Sequence, residues 1–365
     1  MCKEKGSVVN NKKHCRGLST WDVIRRQPSR IADGSLPTLS CDHYDHYKDD
    51  VQLIKELNVT HYRLSICWTR ILPSGVIDIV NEKGVHFYRS LLSELRKNGI
   101  EPIVTLFHAD YPYALYKEVS RFEGHPHHSP DTVEYSTPKR RIPYLAAHNM
   151  LRAHAKVYRM YEREFRATQR GRIGIVAGGQ WFLAVSDDPS DTAACQRAVE
   201  WGLNWMIEPV FGQNGDYPEA MKQAMNASED EQGFELLPKF SKTEKEELKG
   251  SADFLGINYY RASAVCNGTG STQFEKDAGF KYTDGPWERI SGEDMWLRYV
   301  PEGLLLLLQY IQRTYAVPVM VTENGCADVV GAQAQNLDPL NDEHRIRYIR
   351  GHIEAVRHGK KLETS

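Results

Sequence analysis

Val317-Pro318-Val319-Met320-Val321-Thr322-Glu323-Asn324-Gly325 is an apolar, β-branched run that ends abruptly in a carboxylate, an amide and a glycine. A strand covered by helices on both faces of its sheet reads as a continuous apolar run. The first polar side chains after such a run stand at the strand's C-terminal end, where catalytic groups collect in α/β barrels. Gly325 permits a sharp turn away. A strand-end glutamate is by default a solvated turn carboxylate, so Glu323 gains weight only from what stands at the ends of the other strands.

Outward from this run, helices and strands alternate. Upstream, residues 301–314 predict a helix, and Phe254 to Tyr260 predict a strand after an irregular stretch. Downstream, residues 342–357 carry Ile346, Ile349, Ile353 and Val356 on one side of a last helix. Nearer the N-terminus, Val51, Leu53, Ile54 and Leu57 mark a short amphipathic helix, followed by a strand from His61 to Ile66. A helix from Asn81 to Asn98 presents Val85, Tyr88, Leu91, Leu92 and Leu95, with Gly99 placed to end it in a left-handed conformation. A strand from Ile100 to Phe107 then closes on His108-Ala109-Asp110. Helix 144–166, strand Ile173 to Val176 and helix 193–206 complete the alternation. Short apolar strands with polar C-terminal ends predict a parallel sheet, doubly wound or closed into a barrel. No GxGxxG or GxxxxGK[ST] follows any strand, which favours the barrel. Residues 117–143 break the rhythm; rich in Pro, His, Ser and Arg, they read as a long loop that needs a reason.

Composition narrows the function. The 365 residues carry 41% hydrophobic and 26% charged side chains, ordinary for a soluble α/β protein with a substantial core. A net charge of −2 gives no electrostatic argument for nucleic acid or an acidic membrane surface. Seven cysteines are scattered without a CxxC spacing, so neither a zinc site nor a disulfide scaffold follows. His125-Pro126-His127-His128 has metal-binding residue types but reads first as a solvated loop, and no metal or cofactor is expected. The basic start has no apolar segment of a signal peptide, and the run Leu304 to Leu308 is too short to span a bilayer. Two sequons, at Asn226 and Asn267, would suit a secreted protein, against the missing signal.

The strand ends collect Arg63, Trp68, His108, Asp110, Asn258, Tyr260 and Glu323. Arg63 by charge and Tyr260 by hydrogen bond are suited to hold Glu323 ionised. His108, Asn258 and indoles suit the hydroxyls and flat face of a sugar ring. An ionised glutamate so placed is a nucleophile for glycosyl transfer through a covalent intermediate. For each supporting residue, packing or a salt bridge is the plain alternative.

Several motifs in one order resemble glycoside hydrolase family 1, the β-glucosidase family that includes animal lactase-phlorizin hydrolase, insect myrosinases and klotho proteins. They are Tyr62-Arg63-Leu64-Ser65-Ile66-Cys67-Trp68-Thr69-Arg70-Ile71-Leu72-Pro73, Thr105 to Pro112, Phe254-Leu255-Gly256-Ile257-Asn258-Tyr259-Tyr260 and Thr322-Glu323-Asn324-Gly325. Thr20-Trp21-Asp22, Gly215 to Lys222 and Trp296 to Leu304 join them, the last resembling arthropod members. The match covers about 17–115 and 144–358 of a single domain over residues 1–365, with 116–143 divergent. The resemblance implies a (β/α)8 TIM barrel and retaining hydrolysis of small-molecule β-glycosides, with no nucleic acid or membrane partner. By motif, Glu323 is the nucleophile supported by Arg63 and Tyr260. His108 and Asn258 would contact the sugar, and Trp181 and Trp296 would line its approach.

The chain departs from this pattern where the second carboxyl belongs. A retaining glycosidase needs an acid about 5–5.5 Å from the nucleophile, and in this family it is the glutamate of an Asn-Glu-Pro motif at the fourth strand's end. No Asn-Glu-Pro occurs here; Glu208-Pro209 falls in the register of a structural segment. His108 is followed by Ala109 where the family has Trp, and Tyr113 stands for a common Gln. Strands one, four and eight are expected to be missing or replaced, as in a truncated and internally deleted member. Two functions follow as expectations: a β-glucosidase with impaired protonation of the leaving group, or a klotho-like sugar- or protein-binding module.

Overall fold

Short β-branched runs set between amphipathic helices form parallel strands here, as their pattern predicts. A computed structural model describes residues 16–24, 41–115, 140–226, 233, 235–292, 296–328 and 340–362, with side chains to 359. The chain divides into two compact units, Met1–Ala146 and Ala147–Ser365.

The first unit contains α1 (Thr20–Ile24), α2 (His43–Glu56), β1 (His61–Ser65), α3 (Trp68–Ile71), α4 (Glu82–Lys97) and β2 (Glu101–Thr105). β1 and β2 pair in parallel from His61 opposite Glu101 to Ser65 opposite Thr105. Helix α4 buries Phe87, Tyr88, Leu91 and Leu95 along one stripe, and with Val51 and Ile100 they form the core that covers Tyr62 and Leu64. Gly99 ends α4 at φ 76°, in the left-handed region expected of it, and Ile100 N–H donates back to Leu95 O. The Gly17–Asp22 stretch lies beside the end of β2: Thr20 N–H donates to Tyr111 O and Tyr113 N–H to Leu18 O, both at 2.8 Å.

The second unit is built on two sheets. Its elements are α5 (Ile142–Glu164, whose first turn belongs to the first unit), α6 (Arg166–Gln169), β3 (Gly174–Gly178), β4 (Trp181–Ala184), α7 (Pro189–Val199) and a π-helical turn at Glu200–Asn204. There follow α8 (Trp205–Phe211), α9 (Glu219–Met225), α10 (Lys242–Leu248), β5 (Phe254–Asn258), β6 (Ala262–Asn267), α11 (Gln273–Ala278) and β7 (Phe280–Thr283). The unit closes with α12 (Pro301–Tyr315), β8 (Val319–Glu323) and α13 (Glu343–Leu362). β3, β5 and β8 form an all-parallel sheet in that order. The five strands expected from the sequence are therefore β1, β2, β3, β5 and β8. The stretch expected as one helix over 193–206 is instead α7, the π-helical turn and α8.

A second sheet, β4-β6-β7, was not legible as strands and falls in stretches that read as irregular. β4 and β6 run parallel while β7 returns antiparallel on β6. Helix α7 packs its Ala194 and Ala198 against this sheet; its N-terminus is closed by Asp188, whose side chain accepts from Ser190 N–H at 2.8 Å. The residues 116–139, including the His125–His128 run and most of the divergent loop, lie outside the described residues.

Asp253 ties the entrance of the three-stranded sheet together. Its carboxylate accepts from Arg166 at 2.9 and 3.1 Å, from Ile173 N–H at 2.7 Å and from the Tyr158 hydroxyl at 3.3 Å, while its own N–H donates to Ile173 O. Charge-assisted bonds of this kind contribute about 1.5–3 kcal/mol each, and their donors are left unpartnered when the acceptor goes. Asp253→Ala is therefore expected to destabilise the chain by about 2–4 kcal/mol in urea unfolding, without a change in net helix content.

Three histidines of this unit, His148, His154 and His352, have pKa values held below their ordinary 6.5 by burial. A lowered pKa means the unfolded chain binds protons first, so stability rises with pH in that window. Stability is expected to be full above about 6.5 and to fall as the pH drops toward the lower folded-state values, read as the urea midpoint at successive pH values.

Candidate functional site

The polar ends of β5 and β8 meet because the two strands run parallel and finish together. Their register is Leu255 opposite Val319 and Ile257 opposite Val321, and then it shifts, so that Asn258 stands opposite Glu323 with Thr322 as the extra residue. Such a bulge re-aims the side chains at a strand's end. Backbone and side-chain bonds lock the junction. Tyr259 N–H donates to Glu323 O at 2.9 Å, Asn324 Nδ2 donates to Tyr259 O at 2.9 Å, and the Thr322 hydroxyl donates to Asn258 Oδ1 at 2.7 Å. Gly325 leaves the strand at φ 156°, where a side chain would strain the backbone.

At this junction the Tyr260 hydroxyl donates to Glu323 Oε2. A phenol hydroxyl directed at one carboxylate oxygen fixes the orientation of that carboxylate. Both side chains are half-buried. Of the residues singled out from the sequence, Tyr260, Glu323 and Asn258 are thus brought together. Trp296 joins them by an edge-on ring contact with Tyr260, 6.3 Å between centroids, and keeps 52% of its surface exposed. Trp181 is placed differently. It opens β4, in the second sheet, and packs against the Tyr310 ring of α12 at 5.4 Å.

The other two assigned residues belong to the first unit. Arg63 lies mid-strand on β1 opposite Ile103 of β2, half-buried. His108 is exposed two residues after the bend that ends β2, followed by Ala109 at φ 55°, a left-handed position that strains a residue with a side chain. Asp110 beside it has its carboxyl pushed up by burial, against hydrogen bonds that pull it down. Trp68 donates from its indole nitrogen to Gly75 O at 3.1 Å and meets Phe107 and Tyr111 edge-on at 5.9 and 5.6 Å.

One layer of the site was not legible in the sequence. Helix α13 presents Tyr348, fully buried, whose hydroxyl donates to Tyr260 O at 2.5 Å and accepts from Asn324 Nδ2 at 3.5 Å. Tyr348 forms a small cluster with Ile290 and Leu297, against which Tyr260 and Tyr299 pack. His352, one turn on, lies tilted against Tyr348, with ring centroids 4.1 Å apart. Beneath them Tyr259 points the other way from Tyr260, its hydroxyl donating to Val300 O at 2.7 Å, and Gly303 leaves room for that ring, since a Cβ there would lie 2.3 Å from the phenol oxygen. The only sequence signal was the period of α13, which reads as packing. Glu208 accepts from the Tyr315 hydroxyl at 2.9 Å, which joins α8 to the end of α12.

Comparison with known proteins agrees with this geometry. The family model described as Glycosyl hydrolase family 1 matches residues 10–126 and 122–363. Beta-glucosidase 11 of rice, Oryza sativa subsp. japonica, is 32% identical over 414 residues, covering 97% of this chain and 75% of that protein. Myrosinase 1 of Brevicoryne brassicae is 34% identical over 384 residues, covering 93% of this chain and 80% of that protein. Among solved structures, a rice beta-glucosidase superposes with a TM-score of 0.84 at 28% identity, covering 97% of this chain and 84% of its own. An aphid myrosinase superposes with a TM-score of 0.80 at 32% identity, covering 97% and 83%. A nucleophile-like carboxylate at a parallel strand's end, its phenol donor on the adjacent strand, and relatives matched along nearly the whole chain lead to one assignment: this protein belongs to glycosyl hydrolase family 1.

Proposed function

We propose that this chain is a β-glucosidase-like glycoside hydrolase of the retaining type, acting on small-molecule β-D-glucosides. The observation that carries the reading is the hydrogen bond from the Tyr260 hydroxyl to Glu323 Oε2 at the ends of β5 and β8. In the first step a Glu323 oxygen attacks the anomeric carbon, a carbon–oxygen ester bond forms, and the bond to the aglycone breaks with its electron pair leaving on the aglycone. Water then hydrolyses the glycosyl ester and restores the carboxylate. Asn258, beside Glu323, and Trp296, beside Tyr260, are the sugar-facing groups in this reading; His108 and Arg63 carry binding and supporting roles by motif, and Trp181 a lining role by motif.

The chain has no Asn-Glu-Pro to supply the proton to the leaving oxygen. Departure then depends on the aglycone's own acidity, and the second step lacks a base to activate water. Dinitrophenyl and nitrophenyl β-D-glucosides are expected to be hydrolysed while alkyl β-D-glucosides resist, with a burst of the first product as the ester accumulates. Ordinary turnover of alkyl glucosides would overturn the unassisted departure. Glu323→Gln is expected to lower the rate on nitrophenyl glucosides by about a thousandfold or more; an unchanged rate would remove Glu323 from the reaction. Tyr348→Phe, which removes the hydroxyl that anchors Tyr260 O, is expected to lower kcat by about tenfold with little change in KM, through looser placement of the Tyr260 phenol.

A further inference from the structure

Helix α13 has two faces, and among the described residues only one of them is covered. Tyr348, His352 and Ala355 are buried on the face that packs against α12. On the other side Ile346, Ile349 and Ile353 keep 45%, 45% and 54% of their surface exposed. Val356, half-buried, continues the row. The spacing is regular: Ile346 and Ile353 are seven residues apart, as are Ile349 and Val356, and three residues separate Ile346 from Ile349 and Ile353 from Val356. That alternation of three and four is the repeat of a helix that pairs with another helix, here two repeats long. Branched apolar side chains gathered in one exposed stripe mark a docking face, whereas scattered ones are ordinary surface.

The charges beside the stripe say which partner fits it. Glu343, Arg350 and Arg357 recur at seven residues along one flank, with Glu354 one turn on from Arg350. None of these four stands in an ion pair among the described residues, whereas the neighbouring Arg345 and Arg347 are paired with Asp342 and Glu288. Along the flank the signs run minus, plus, minus, plus. That order is complementary to its own reverse, while a parallel copy would set like charge on like. We propose that this face of α13 joins two copies of the chain, the helices antiparallel about a two-fold axis level with residue 351. In that register Ile346 meets the partner's Val356 and Ile349 meets the partner's Ile353. Glu343 lies beside the partner's Arg357 at both ends. The two Arg350 side chains approach near the axis, each within reach of the partner's Glu354. A contact of this kind uses the same patch on both copies, so it closes at the dimer. Tyr348 stands on the opposite face, so pairing leaves its bond to Tyr260 O in place, and the inference does not rest on the reading of Glu323.

The test is sedimentation equilibrium of the full chain. A reversible dimer is expected, with a dissociation constant on the order of 10 μM, the weak end for a small interface. Ile349→Glu is expected to leave a monomer at every concentration, since it places two carboxylates in the apolar seam. Glu343→Arg and Arg357→Glu are each expected to weaken pairing about tenfold, by turning attraction into repulsion at both ends. Joined in one chain, the two exchanges are expected to restore it. Circular dichroism and the urea midpoint of each variant are expected to stay unchanged, because these side chains face solvent, and they separate loss of pairing from loss of fold. A chain that is monomeric throughout, its stripe covered by another segment or another partner, would overturn the proposal. So would a dimer that survives Ile349→Glu, which pairs through a different face. A double exchange as weak as the single ones would deny the antiparallel register and overturn it equally.

Discussion

The parallel pairing of β5 with β8 is the constraint on which the site depends. Tyr260 and Glu323 stand 63 residues apart in the chain, and only the register of these strands brings phenol to carboxylate. Parallel neighbours need a long crossover, and here it runs through β6, α11, β7 and α12. That connection supplies Trp296 and Arg261 beside the same junction. The bulge at Thr322 and the Asn324 bond to Tyr259 O then leave the two side chains little freedom. A carboxylate held this way keeps a single orientation at the strand end.

The chemistry of the site is lopsided. A carboxylate with a donor on one oxygen is equipped to attack, whereas retaining hydrolysis also asks for a carboxylic acid across the scissile bond. The glutamates that the second unit keeps nearby in sequence are occupied elsewhere: Glu208 with Tyr315, and Glu200, its carboxyl pushed up by burial, with Asn204. The fold class is the (β/α)8 barrel of the family, and the described residues include the parallel sheets β1-β2 and β3-β5-β8. No helix among the described residues is long and apolar enough to cross a membrane.

Much of the fold was legible because its signals are local. Apolar runs closed by polar residues marked β1, β2, β3, β5 and β8, and Gly99 marked the end of α4 through a backbone angle that glycine tolerates. The β4-β6-β7 sheet was missed because Trp181-Phe182-Leu183-Ala184 is short and Phe280 to Thr283 alternates over only four residues, too few to show a period. Trp181, assigned to the sugar's approach, is placed against Tyr310 by that unforeseen sheet. The π-helical turn at Glu200–Asn204 has no composition of its own and reads as ordinary helix.

By itself the sequence determined the family and its motifs: a strand that must be buried, a carboxylate where the apolar run ends, and the motif around Tyr260 and Asn258. These depend on side-chain type and on spacing within one segment, which chain order preserves. The tertiary structure decided that the Tyr260 hydroxyl reaches Glu323, that Tyr348 of a distant helix holds Tyr260 from behind, and that the Arg261 guanidinium lies over the Trp296 ring. Those facts depend on strand register and on the packing of segments far apart in the chain. A shift of one residue between β5 and β8 would turn every side chain to the other face, and no local pattern of residues specifies that choice.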